Sequence, residues 1–433
     1  MTTLLQKLER RSARLVVLGA GQVGLPLAVA FAEEGFRTAV LDTDPQVVAA
    51  VCEGRSSLQE VDDDALARLL ASEDLLATTE PGVLAQADAV LICVPTPLDE
   101  TRAPDLRHVL DAVESIVKHQ HPGMLVVLES TTYPGTTMEV LVPRLTRAEL
   151  ELGRDVFIAF SPERVDPGNP RFHTRNTPKV VGGATPTCQA AALALYGAIV
   201  NDLVPVSSPD TAEMTKLLEN TYRAVNVALV NEFALMAKRL GVDIWEVIRA
   251  ASSKPFGFMP FYPGPGLGGR CIPIAPIYLS WRMRALDYDA RFIALADAVN
   301  TSMPDYVISL VKQALADAGR PVQGSTLLVV GVAYKKDVAD HRESPAFAVI
   351  HGLERLGAYV DYLDPEIPTV DDAGTHRESM PADVDMSRYD AVVIVTDHGR
   401  IDYERLLADA RLVVDTRNAL EGVPGDHRKV VKL

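Results

Sequence analysis

The chain has 433 residues, 48% of them hydrophobic, a length that asks for two or three cores. Its 58 Asp and Glu against 42 Lys and Arg leave a net charge of −16, which argues against nonspecific nucleic-acid binding and against attachment to an anionic membrane. Cys52, Cys93, Cys188 and Cys271 lie far apart with no C-x-x-C and no metal-ligand spacing, so neither a disulfide scaffold nor a metal site is expected. The N-terminal residues show no leader pattern and no apolar run is long enough to cross a membrane, so a cytoplasmic, soluble protein is expected.

In chain order, Leu15 to Leu18 is an apolar run that enters Gly19-Ala20-Gly21-Gln22-Val23-Gly24. An apolar helical segment follows to Ala32, then a strand-like run, Thr38 to Leu41, ending at Asp42. This order is a βαβ unit. Its first glycine permits a tight turn, the second lets a pyrophosphate approach the backbone at the helix N-terminus, and the third lets helix pack on strand. Asp42, 18 residues after the last glycine, would bond the adenosine ribose hydroxyls and repel a 2′-phosphate, so NAD rather than NADP is the expected cofactor. Without a ligand, the same residues would make a tight strand-to-helix turn.

Ala89 to Cys93 runs into Val94-Pro95-Thr96-Pro97, and Met124 to Leu128 runs into Glu129-Ser130-Thr131-Thr132-Tyr133-Pro134. Ligands of doubly wound sheets lie beyond the carboxyl ends of strands, where these hydroxyls fall. Val156 to Phe160 leads into Ser161-Pro162-Glu163, where a surface turn and an acid/base role are both open. From Met214 to Leu240 apolar residues recur at helical spacing; Lys216 and Asn220, four apart, share a face that is either a solvated stripe or part of a site. A second helix, about Asp243 to Ser252, precedes Pro263 to Pro276, a run of glycines and prolines around Cys271. Glycines there allow positive φ and close approach, and prolines stiffen the loop; it holds either a buried structural cysteine or a nucleophile. Beyond Pro304, Ser325 to Val330, Val360 to Leu363, Ala391 to Val395 and Leu412 to Val414 read as strands of a second α/β domain without the glycine fingerprint. Lys335, Arg342 and Arg417, at its strand ends, are phosphate-binding candidates or solvated charges.

The ordered set of motifs resembles the nucleotide-sugar 6-dehydrogenases, the UDP-glucose, UDP-N-acetylglucosamine and UDP-N-acetylmannosamine dehydrogenases. The resemblance is carried by Gly19 to Gly24 with Asp42, Val94-Pro95-Thr96, Ser130 to Pro134, Glu163, Lys216 with Asn220, Gly266 to Cys271, Gly331 with Lys335, and Arg342 to Pro345. It covers nearly the whole chain, and the wording around Phe256 to Gly269 looks most like the branch acting on N-acetylated UDP-hexoses.

The resemblance implies an α/β fold of two doubly wound Rossmann-like domains, residues 1–207 for NAD and 304–433 for the nucleotide sugar, joined by a mainly helical dimerisation domain, 208–303. It implies a homodimer and oxidation of a sugar alcohol to a carboxylate through a Cys271 thiohemiacetal and thioester. Lys216 and Asn220 would stabilise oxyanions, Glu163 would move protons, and Thr132 would position water. Pro95, Thr96 and Thr131 fall on the cofactor side with the glycine loop, and Arg342 near the NAD phosphates or the domain junction. Phe261, Tyr262, Gly268, Arg270, Lys335 and Arg417 fall on the substrate side. The chain departs from the pattern G-G-H-C-I-P-I-D-P at two places, with Arg270 for the histidine and Ala275 for the aspartate. Losing one acid/base group typically costs about 10²–10⁴ in rate. Two alternatives are therefore a single two-electron oxidation to a carbonyl and a silent nucleotide-sugar-binding homologue.

Overall fold

The computed structural model describes residues 3–56, 58, 60–146, 150–269 and 272–433. Arg270 and Cys271 lie outside the described residues. The chain divides into two compact units, Met1–Glu219 with Ile277–Tyr288, and Asn220–Pro276 with Asp289–Leu433.

In the first unit the strands are β1 (Arg14–Leu18), β2 (Arg37–Leu41), β3 (Leu75–Thr78), β4 (Ala89–Ile92), β5 (Met124–Leu128), β6 (Val156–Phe160), β7 (Lys179–Gly183) and β8 (Leu203–Val206). Among the described residues they form one sheet in the order β3-β2-β1-β4-β5-β6-β7-β8. All neighbours run parallel except β6 and β7. The near-continuous apolar strands fit a sheet covered on both faces. Leu15, Val17, Leu91, Leu125 and Val127 enter one core, while Val16, Leu18, Ile92, Val126 and Leu128 enter the other, as the alternation of side chains along a strand requires. Strand order reverses between β1 and β4, which opens a crevice at their carboxyl ends.

The second unit repeats this plan. Its strands β9 (Thr326–Val330), β10 (Tyr359–Leu363), β13 (Ala391–Ile394), β14 (Val413–Asp415) and β15 (Val430–Lys432) form a parallel sheet in the order β10-β9-β13-β14-β15. A separate hairpin pairs β11 (Thr369–Asp372) with β12 (Thr375–Glu378). Between the two Rossmann-like sheets in sequence lies a mainly helical segment. Its long helix, Pro209–Leu240, contains the boundary between the units, and a shorter helix, Ile244–Ser252, is capped by Asp243, whose Oδ1 accepts the Trp245 amide at 2.8 Å.

The helix Arg291–Asp317 buries Ile293, Ala296, Asn300, Met303, Val307, Val311 and Leu315 along one stripe, the spacing of an amphipathic helix. It contains Pro304, whose missing N–H leaves the Asn300 carbonyl without its usual helical partner. Among the described residues no helix is long and apolar enough to cross a membrane.

Candidate active site

In the first unit the glycine loop has the backbone a dinucleotide requires. Gly19 sits at φ +98°, donates its N–H to the Leu41 carbonyl at 2.8 Å, and faces the Cys93 carbonyl so closely that a Cβ would lie 2.8 Å from that oxygen. A Cβ on Gly24 would overlap the Gly19 carbonyl, which explains the close packing of helix on strand. Gly21 has nothing within 4 Å of its Cβ position, so its open side can receive a large group. Among the described residues no side chain caps the helix Gly24–Glu33, which suits its N-terminus to an anion. At the end of β2, Asp42 accepts the Ala20 amide at 2.7 Å and the Asp44 amide at 2.9 Å, which fixes its carboxylate beside the loop. Thr96 donates to the Thr131 carbonyl at 2.8 Å and Ser130 to the Val94 carbonyl at 2.7 Å, tying together the loops after β4 and β5. Pro95 is exposed on this rim.

The turn after β6 is not a solvated surface feature. Oε1 of Glu163 accepts the amides of Arg164 and Val165, both at 2.7 Å, and the main-chain carbonyl of Glu163 accepts from Lys216 Nζ at 2.5 Å. Burial alone would push the Glu163 carboxyl up, but Lys179, the two amides and Lys216 outweigh it and hold its pKa below the usual carboxylate value. Lys216 is buried and so is Asn220. The face they share is a packed one, and the Asn220 Nδ2 has no hydrogen-bond partner among the described residues. Thr132, 1% exposed, likewise has a hydroxyl without a partner among the described residues. Orphaned buried polar atoms are rare in folded proteins, and a ligand or ordered water is their usual complement.

In the second unit every described glycine of the cysteine loop is there for close approach. A Cβ on Gly264 would overlap the Arg417 guanidinium, and one on Gly266, at φ +131°, would press on the freed Asn300 carbonyl at 3.2 Å. On Gly268 and Gly269 it would meet Tyr334 at 2.7 and 2.8 Å. The loop is also tied by hydrogen bonds: the Gly264 amide donates to Asn231 Oδ1 at 2.9 Å and the Gly269 amide to the Arg342 carbonyl at 3.2 Å. Asn231 Nδ2 donates in turn to Asn300 Oδ1 at 3.0 Å, and Asn300 Nδ2 to the Ala224 carbonyl at 3.1 Å, a buried polar chain between two helices. Arg417 donates through Nε to the Val395 carbonyl at 2.8 Å, and burial lowers its pKa against the opposing pull of Asp397 and Asp415. The Arg342 side chain is engaged by Asp340 at 2.7 and 2.5 Å. Phe261 packs edge-on against Tyr222 and Tyr262 stacks on Trp245, while Lys335 is half-buried just beyond β9.

Models of the UDP-glucose/GDP-mannose dehydrogenase family match the chain in order: the NAD binding domain over residues 13–200, the central domain over 210–302 and the UDP binding domain over 328–422. The chain belongs to this family. It is 35% identical over 415 residues to an NDP-N-acetyl-D-galactosaminuronic acid dehydrogenase of Ralstonia nicotianae, covering 93% of this chain and 95% of that one. To a UDP-N-acetyl-D-glucosamine 6-dehydrogenase of Pseudomonas aeruginosa it is 33% identical over 391 residues, covering 90% and 91%. Among solved structures, the UDP-D-ManNAc dehydrogenase of Pyrococcus horikoshii superposes with a TM-score of 0.86 at 30% identity, over 97% of this chain and 98% of that one.

As a member of the family the chain is an NAD-dependent nucleotide-sugar dehydrogenase. The loop geometry of the first unit fits that cofactor; Gly19, Gly21, Gln22, Val23 and Gly24 would hold the pyrophosphate and Asp42 the ribose. Asp42→Asn is expected to weaken NAD binding roughly 10- to 100-fold, the worth of a hydrogen bond to a charged group, while NADP binding changes far less. Calorimetric titration of both nucleotides checks this.

The second sheet of the family fold handles the matching position differently. Asp364, at the end of β10 as Asp42 is at the end of β2, is 3% exposed. Its Oδ2 accepts the amides of Val332 and Ala333 at 2.7 and 2.8 Å and its Oδ1 those of Glu366 and Ile367 at 2.8 and 3.0 Å. His398 Nδ1 accepts the Asp337 amide, so its proton sits on Nε2, which donates to Asp364 Oδ2 at 3.1 Å. The acid expected to bind ribose in one sheet has a structural staple as its counterpart in the other. Asp337, Glu366 and His398 cluster here, but with both imidazole nitrogens engaged His398 has none to offer a metal.

Three functional candidates escape a reading of the sequence. Glu213, on the long helix, accepts the Gly135 amide at 2.7 Å and the Thr137 amide and hydroxyl at 2.8 and 2.7 Å; burial raises its pKa to about 7. It anchors the turn just after Thr132. Lys179 and Glu129 form a buried ion pair at 2.9 Å. No spacing pattern links any of these residues to its partners.

Proposed function

We propose that the chain oxidises the C6 hydroxymethyl group of a UDP-linked N-acetylhexosamine to a carboxylate, consuming two NAD and one water. The observation that carries this reading is the turn at Glu163, where one residue offers an anionic carboxylate and a carbonyl that holds Lys216 Nζ at 2.5 Å. The relatives named above for N-acetylated sugars support the substrate class. Residues 1–207 would bind NAD, 208–303 form the helical dimerisation segment, and 304–433, with Lys335 and Arg417, hold the nucleotide of the sugar.

Bound NAD would accept the two hydrides, one per molecule. In the first oxidation the C6 hydroxyl loses its proton to water as its carbon loses the hydride, and Lys216 and Asn220 stabilise negative charge on the C6 oxygen in both oxidations. The Cys271 thiolate forms a C–S bond with the intermediate aldehyde carbon, and loss of the second hydride from that carbon leaves a thioester. Glu163 takes a proton from a water held by Thr132; the hydroxide oxygen bonds to the carbonyl carbon, the C–S bond breaks, and the thiolate returns to Cys271. Ala275 is fully buried and carries no group that can accept a proton, which supports Glu163 as the acceptor. The same alanine favours a second reading, in which oxidation stops at a carbonyl after one hydride.

Mass spectrometry of products from UDP-N-acetylglucosamine, -galactosamine and -mannosamine decides between them. A product with two hydrogens fewer and one oxygen more is expected; a product lacking two hydrogens and gaining no oxygen overturns the acid.

The reading includes a homodimer built on the long helix. Leu229, Phe233, Met236 and Leu240 are all exposed and follow one another at helical spacing, an apolar stripe that a second copy would cover. The sedimentation mass of the full chain tests this, and a monomer at micromolar concentration would refute it.

A further inference from the structure

Behind Glu163 the first unit contains a buried charge cluster, Lys179, Glu129 and Tyr196, that no step above uses. Lys179, at the start of β7, is 5% exposed, and its Nζ lies 2.9 Å from Glu129 Oε2 and 3.8 Å from Glu163 Oε2. It also lies 4.9 Å from the centre of the Tyr196 ring, whose hydroxyl donates to Glu129 Oε1. These side chains come from the ends of β5 and β7, the turn after β6, and the helix Pro186–Tyr196.

A lysine in a dry interior costs several kcal/mol unless it is paired, and replacing such a pair with apolar residues is often neutral or stabilising. The strand it opens, Lys179-Val180-Val181-Gly182-Gly183, would pack with an apolar residue in its place. The ammonium is therefore a poor device for stability alone. Its geometry is that of a counter-ion shared by two carboxylates, one sealed in the core and one on the turn whose Glu163 carbonyl accepts from Lys216. From this we propose that Lys179 is a positioning residue for Glu163, a buried cation that holds the carboxylate of the turn in place as an anion, while Glu129 and Tyr196 compensate the lysine charge from behind.

The inference rests on the reading that Glu163 takes the proton of the attacking water. The direction of each ionisation agrees with the geometry. Burial would neutralise Lys179, but Glu129 and Glu163 outweigh it and its pKa is raised. Burial raises the pKa of Glu129, partly offset by Lys179. Among the described residues, the charged and titratable groups around this cluster are Cys93 after β4, whose thiol burial pushes well up, Lys216 on the long helix, and the Arg164–Glu219 pair at 2.6 Å. Cys93 is kept as a neutral thiol, and Lys216 is bound to the carbonyl of Glu163 rather than to its carboxylate, so among the described residues Lys179 is the cation that the carboxylate side meets.

Removing Lys179 alone would leave two carboxylates competing for one proton, so the test starts from Glu129→Gln. The full chain with Glu129→Gln is compared with the same chain carrying Glu129→Gln and Lys179→Met, after circular dichroism shows both to be folded. The protonated-carboxyl stretch of Glu163, identified in infrared difference spectra by its loss on adding Glu163→Gln, is followed against pH. Its midpoint is expected to rise by about one pH unit or more when Lys179 is removed, a roughly tenfold change in proton affinity. Lys179→Arg in the same background is expected to keep the midpoint low. An unchanged midpoint in the Met variant, or one raised equally by arginine, overturns the proposal, since a packing role would give either. Should the Met variant fail to fold, Glu129→Gln against the wild type decides: freed from its competitor, Lys179 is expected to lower the Glu163 midpoint, and a midpoint that stays or rises overturns the proposal. The catalytic reading is checked separately with Glu163→Gln and UDP-N-acetyl-D-glucosamine. If that variant forms the acid at the wild-type rate, Glu163 is not the proton acceptor, whereas the infrared midpoints still decide whether Lys179 governs its charge.

Discussion

Cys271→Ser is expected to lower the rate of acid formation by about 10³-fold or more, the scale seen when a nucleophile that works in concert with its neighbours is removed. A serine hydroxyl remains neutral at pH values where a thiol is partly ionised, and no base is positioned in the sequence pattern to activate it. The first oxidation needs only a stabilised alkoxide, so Lys216 and Asn220 should still support it. The expected result is therefore NADH production that slows sharply while a trace of aldehyde, trapped with a hydrazine, appears in the product mixture. If turnover instead stays within about tenfold of the wild type, the C–S bond is not on the path and the carbonyl-forming reading takes over. The substitution thus separates the two chemistries that Ala275 leaves in competition.

The largest expected effect on stability lies in the polar chain beneath the cysteine loop. Asn231→Ala removes the acceptor of the Gly264 amide and the donor to Asn300 Oδ1, both in the buried interior. Leaving one buried polar group unpaired costs about 1–3 kcal/mol, and two coupled groups are expected to cost about 2–4 kcal/mol together. Denaturant unfolding of the second unit's transition, read by tryptophan fluorescence, measures this. A loss below about 0.5 kcal/mol, the range of ordinary surface changes, would show that water takes over both groups and that the chain does not hold the loop.

The sequence shows the motifs of both α/β halves because their chemistry is local. Gly19 to Gly24 and Asp42 declare themselves through strand, helix and acid in register, and the apolar runs at β4, β5, β6 and β9 are long enough to stand out. What escapes is pairing across distance. Lys179 before Val180 looks like a charge at a strand entrance, and the β6–β7 reversal leaves no trace in a strand whose last two residues are glycines. Glu213 reads as one more polar interruption in a long helix, although its carboxylate is a cap for Gly135 and Thr137. The glycines around Cys271 advertise close approach without saying to what. Their neighbours, Tyr334 and Arg417, lie 65 or more residues further along the chain, and Asn231 gives no sign that it reaches Gly264. Lys216 and Asn220 show the same limit in reverse: the spacing predicts a shared face, while only packing reveals that the face is closed to solvent.

The inward turn of Asp364 has a consequence for traffic between two similar nucleotides. A dehydrogenase built from duplicate sheets carries two crevices of similar design, and NAD and a UDP-sugar share a ribose and a pyrophosphate for which those crevices would compete. With its acid engaged by four backbone amides and His398, the second sheet is expected to lack the handle that NAD would grasp, so that discrimination would come from a feature withheld rather than a contact added. NADH accumulating during turnover would then crowd one door of the enzyme and leave the other clear.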